Sequence, residues 1–185
     1  MKKYSTFEEL SCRFSKDVQA VLLNNTEVAF FSDTPTIGLV SKTFGLDNAI
    51  LWVKTQILTI DLYNGTSRDG DYDAIGEASN LFVREYGYIK LTEFLLFVAR
   101  FKLGIYGKFY GSFDLITLGT SFKEFLKEKQ KEIVSIERAK ALNYGSHWFK
   151  PPTGYSSLTW IQELRKRASE GDKDAISQLG PYWNK

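Results

Sequence analysis

The chain has 185 residues, 43% of them hydrophobic and 15% aromatic, which excludes a disordered chain and suits one domain with a substantial core. A formal charge of +2 excludes attraction to nucleic acid in bulk, so any basic contact surface must come from local clustering. One cysteine (Cys12) and one histidine (His147) exclude an internal disulfide and a zinc site of the usual ligands, and no metal or cofactor is expected.

The opening MKKYSTFEEL turns polar at once and does not read as a signal peptide. Thr6 and Glu9 have the spacing of a capping box, and Phe7, Leu10, Phe14, Val18 and Val21 follow at steps of three and four. Together they predict a first helix ending near Asn24-Asn25. Residues 26–35 are less regular, and Val28-Ala29-Phe30-Phe31 reads as a short extended piece before Asp33-Thr34-Pro35. A short helix is predicted over Thr36–Phe44, with Gly45 as its left-handed cap. Asp47 caps the next, which carries Ile50, Leu51, Ile57 and Leu58 and closes at Asn64-Gly65.

After the loop GTSRDGDY, Asp73 caps a helix to about Tyr86-Gly87. Thr92 opens TEFLLFVARFK, which is apolar almost all round through Phe94, Leu95, Phe97, Val98 and Phe101, the pattern of a central buried helix. Its Phe94–Ala99 run is far shorter than the roughly 18 to 20 apolar residues that span a bilayer, and no membrane contact is expected. The longest helical segment follows Asp114 and reaches about Leu142, with Leu115, Leu118, Phe122 and Phe125 on its apolar stripe. On it Lys123, Lys127 and Lys131 adjoin Glu124, Glu128 and Glu132, the pattern of a solvated face held by cross-pairs.

In NYGSHWFKPPTGYSS, Pro151 and Pro152 forbid regular structure, and the whole stretch is predicted as a loop. Beyond it, SLTWIQELRKRASEG and GDKDAISQLG read as two short helices. The expected fold is mainly α: a compact multi-helix single domain with a short helical C-terminal tail. The core spans 1–145, the Pro-containing loop 146–157 and the tail 158–185. The lone cysteine and the polar start point to a cytoplasmic chain.

Catalytic patterns are wanting, and the chain is read as non-enzymatic. His147 has no G-x-S-x-G elbow to serve, and no phosphate-cradling G-x-x-x-x-G-K-[ST] occurs. Asp69, Asp71 and Asp73 imitate the start of a calcium loop, but its sixth and twelfth places hold Ala74 and Asn80 where glycine and glutamate are needed.

The distinctive stretch is RFKLGIYGKFYGSFD, Arg100 to Asp114. Its glycines let the backbone turn with positive φ or approach another surface closely. In one reading Tyr106 and Tyr110 offer faces for stacking while Arg100, Lys102 and Lys108 meet phosphates. In the other the rings wedge a corner between two helices, and Arg100 and Lys102 offset the helix dipole. Arg165-Lys166-Arg167 forms a second basic cluster.

The run from Gly38 to about Glu137 resembles a family of small proteins of unknown function encoded by Bacteroidetes phages and conjugative elements. The helix DNAILWVKTQILTIDLYNG and the pattern R-F-K-x-G-x-Y-G-x-F-Y-G-x-x-D, complete from Arg100 to Asp114, carry that resemblance. It implies a helical protein of a mobile element. The functional expectation is an adaptor that binds a protein partner or DNA in replication or transfer, with a structural or assembly component of a phage particle as the alternative.

Overall fold

The structure, a computed structural model, describes residues 4–64, 71–106, 115–148 and 151–179. The protein is mainly α, and among the described residues the extended pairing is confined to an antiparallel bridge between Thr36 and Lys90. The chain divides into two units, Met1–Ile133 and Val134–Lys185.

In the first unit, α1 (Phe7–Arg13) begins at Thr6, whose hydroxyl accepts from the Glu9 amide while the Glu9 carboxylate accepts from the Ser5 amide. The single helix expected to run on to Asn24 is broken instead. The Ser15 hydroxyl accepts from the Asp17 amide, a local bond that competes with the helical ladder. It starts a 3₁₀ turn (Lys16–Val18) that leads into α2 (Gln19–Asn24). The piece expected to be extended at 28–31 is also helical, because the Asn25 side chain caps the Val28 amide and opens α3 (Thr26–Phe31).

Helix α4 (Ile37–Phe44) starts at the Thr36 cap and stops at Gly45, whose φ is 97°. Then follow α5 (Leu46–Asn64), α6 (Asp71–Glu85) and α7 (Leu91–Lys102). Helix α6 begins two residues before the expected Asp73 cap. The start of α4 lies against the turn between α6 and α7 at a pair of glycines. The Gly38 amide donates to the Gly87 carbonyl at 2.7 Å, and a Cβ on Gly38 would come within 2.9 Å of that same oxygen.

As expected, α7 is the central buried helix: every residue from Leu91 to Phe101 is inside. It meets α8 (Leu115–Trp148) through rings, with Phe97 and Phe122 edge to face at 4.9 Å and Phe82 closing on Phe122 at 4.5 Å. Each such buried ring stabilises the fold by about 1.5–3 kcal/mol. The start of α7 is wired to the end of α3. Lys90 Nζ donates to the carbonyls of Phe30 and Ser32 at 2.7 and 2.9 Å, and the Thr92 hydroxyl donates to the Ala29 carbonyl. Trp52 of α5 is held by an indole N–H bond to the Phe14 carbonyl at 3.1 Å.

Helix α8 runs past the expected end at Leu142 to Trp148. Asn and Gly inside a helix cost well under the 3 kcal/mol or so of a proline, so the helix persists through 143–145 until it nears Pro151. In the second unit, α9 (Ser157–Ser169) and α10 (Lys173–Leu179) share a small core of Leu164, Ala168 and Ala175, with Trp160, Ile176 and Leu179 against it. No helix among the described residues is long and apolar enough to cross a membrane.

Candidate functional site at the end of α7

Helix α7 ends where Gly104 takes φ 71°, a left-handed conformation that costs a residue with a Cβ about 1–2 kcal/mol. The Ile105 amide folds back onto the Arg100 carbonyl and the Gly104 amide onto that of Phe101. This turn delivers Tyr106 to the flank of its own helix, where its ring stacks on Phe97 at 5.9 Å and 30°.

Arg100 points into the protein. Its side chain is 11% exposed, and its guanidinium takes Glu132 at 2.8 and 2.9 Å and approaches Glu128 at 3.8 Å. It also sits 6.0 Å from the centre of the Phe125 ring. Burial works most strongly against its charge, yet the bond to Glu132, the charge of Glu132 and the nearby Tyr106 together outweigh it and leave its pKa raised. The Tyr106 hydroxyl is sealed from solvent and faces Arg100 and Glu128 without hydrogen-bond geometry to either. Burial first of all pushes its pKa up.

A second ion pair lies on the same helix pair. Glu93 Oε1 takes Lys129 Nζ of α8 at 2.8 Å, while its Oε2 accepts from the Lys90 amide and so caps α7. Glu128 and Glu132, which spacing assigns to a solvated face of cross-pairs, therefore serve Arg100 instead. Lys123, Lys127 and Lys131 remain exposed, with Glu124 beside them. The signal that finds this arrangement is Arg100 itself, because a cation within an apolar helix requires a carboxylate from elsewhere.

Lys102 is half-buried and donates to Gln19 Oε1 at 3.1 Å. Its pKa is lowered, by burial first and then by the charge of Lys16. Lys108 and Tyr110 lie outside the described residues. In the second unit Arg165 and Lys166 are exposed on α9. Arg167 is engaged with Asp172 at 2.6 and 2.9 Å, and Asp172 in turn caps α10 through the amides of Asp174 and Ala175. The Arg167 bond holds the Asp172 carboxyl below its ordinary range. Among the described residues no three His, Cys, Asp or Glu side chains stand together in a way that could hold a metal ion.

Fold and corner define a helical protein organised round one buried helix that is pinned to a longer one by charge. Residues 74–173, just over half the chain, match the model of a family described as a family of unknown function (DUF6633), and the chain belongs to it. The match takes in α7, its turn and all of α8. No curated protein and no solved structure matches the chain.

Proposed function

We propose that this protein is a non-enzymatic helical adaptor of a mobile genetic element, gripping DNA in replication or transfer. The observation that carries it is the sorting of charge across α8. Glu128 and Glu132 turn in to Arg100, while Lys123, Lys127 and Lys131 stand exposed along about 12 Å of helix. A molecule with almost no net charge thus presents a local basic stripe, which is where phosphates are met. The mobile-element half of the reading rests on the resemblance of Gly38 to Glu137 to phage and conjugative proteins.

Fluorescence anisotropy with labelled single- and double-stranded DNA over a salt series tests it. Affinity should fall steeply with salt, and replacing Lys123, Lys127 and Lys131 by Ala should flatten the slope by roughly one unit per lysine. Absence of binding at low salt removes DNA and leaves an acidic protein partner as the occupant of the stripe, to be sought by pull-down from the native host.

A second reading, a structural or assembly component of a phage particle, is favoured by one feature. An apolar cleft of about 250 Å³ lies between α6 and the start of α8, lined by Leu81, Phe82, Leu115 and Leu118, with exposed Ile116 close by. Concentration-dependent self-association in sedimentation, lost in Leu81→Asp, is the outcome that reading requires.

A further inference from the structure

One corner of the first unit holds a buried donor, Gln19 Nε2, that has nothing to donate to. Lys16 of the 3₁₀ turn and Gln19 at the start of α2 are three residues apart, and the Gln19 amide bonds to the Lys16 carbonyl. Side chains at that spacing eclipse in 3₁₀ geometry, so both project from one face. Lys102 reaches this face from the end of α7 and donates to Gln19 Oε1 at 3.1 Å.

That bond fixes which way the Gln19 amide lies, because the reverse orientation would set an N–H₂ group against an ammonium. Gln19 Nε2 is therefore turned away from Lys102. Gln19 is only 8% exposed, and its Nε2 has no hydrogen-bond partner among the described residues. A sealed N–H without an acceptor bears the full loss of its hydration. Burial and then the charge of Lys16 both disfavour the charge of Lys102.

We propose that Lys16, Gln19 and Lys102 form an oxyanion site that takes a phosphate group, either free phosphate or the phosphodiester of a nucleic-acid strand. The three side chains offer N–H donors from three separate elements, and one phosphate has oxygens enough for all of them. It supplies the acceptor that Gln19 Nε2 lacks and a negative charge beside Lys102, whose own charge burial and Lys16 disfavour. Lys16 is exposed and also lines an open groove of about 670 Å³ between α1 and α5, so the Lys16 end of the corner faces solvent. The site uses none of the α8 lysines and stands whether or not DNA lies along them.

The test titrates the full ¹⁵N-labelled chain with inorganic phosphate, against sodium chloride at matched ionic strength, and reads the side-chain amide pair of Gln19. Phosphate should shift that pair saturably and chloride should not. Lys16→Ala should weaken the response about ten-fold, the loss of one charge-assisted contact. Gln19→Glu should remain folded and lose the phosphate dependence of the Lys102 signal, since its own carboxylate then occupies the place. A short oligothymidylate is the second probe: a tighter, Lys16-dependent shift identifies a strand as the source, and a weaker one identifies free phosphate. No saturable shift with either probe overturns the proposal, as does a response that Lys16→Ala leaves intact. So does a response lost on replacing Lys123, Lys127 and Lys131, which would place the phosphate on α8 instead.

Discussion

Arg100 shows how much one residue can announce and how much it withholds. A guanidinium in a helix otherwise made of Phe, Leu, Val and Ala must be paired, and that much is legible without coordinates. Its partner is not, because Glu132 lies 32 residues away in an acidic stripe whose spacing suits solvent equally well. Arg100→Met should cost about 2–3 kcal/mol in denaturant unfolding, below the range for a fully buried pair because Glu132 is a third exposed. A double-mutant cycle with Glu132→Gln should return a coupling of about 1–3 kcal/mol, and additivity would mean that the pair is incidental.

Tyr106 gives the opposite expectation. Its hydroxyl is buried without a bond, so Tyr106→Phe should leave neutral-pH stability unchanged or raise it by up to about 1 kcal/mol. The folded protein holds the phenol proton more tightly than the unfolded chain does, since burial raises its pKa above the ordinary 10.0. The stability that depends on the neutral phenol is therefore complete below that value and drains away as pH climbs past it. Thermal melts between neutral and strongly alkaline pH should show less alkaline loss in Tyr106→Phe than in the parent. An equal loss in both would assign the effect to other groups.

At the scale of elements, helix existence is legible and helix continuity is not. Leu10, Phe14 and Leu22 all enter the core at helical spacing, so the pattern runs unbroken from α1 to α2. The break within the run comes from Ser15, a polar residue that caps from inside it. The stop at Asn24 falls where spacing puts it, and Asn25 then caps a further helix in place of the expected extended piece. The converse holds at 143–145, where turn-forming residues do not stop α8. The docking of α4 on the α6–α7 turn depends on Gly38, a residue that spacing gives no reason to single out. Gly38→Ala should destabilise by about 1–3 kcal/mol in thermal or denaturant unfolding, because its Cβ would meet a backbone oxygen that cannot swing aside. A neutral result would show that the turn yields.

For the whole molecule, helical spacing and capping residues identified the class of fold, and the buried centre was legible because α7 is apolar almost all round. Charge sorting was not, since a sum of +2 hides which members are spent inside. Salt is the macroscopic probe of that sorting. Ionic strength should weaken DNA binding through the exposed α8 lysines far more than it lowers the melting temperature, because the Arg100 pair is largely shielded from screening. A parallel fall in both would place the binding cations within the fold's own network.

Two short ion pairs between α7 and α8 have opposite sense: an acid on the first helix faces a base on the second at Glu93–Lys129, and the reverse holds at Arg100–Glu132. They behave as a polarised two-pin plug, which seats in one direction and repels if turned round or slid so that like meets like. Among relatives of this chain, the sign at each pin should be inherited jointly with its socket, and a lone reversal should be rare.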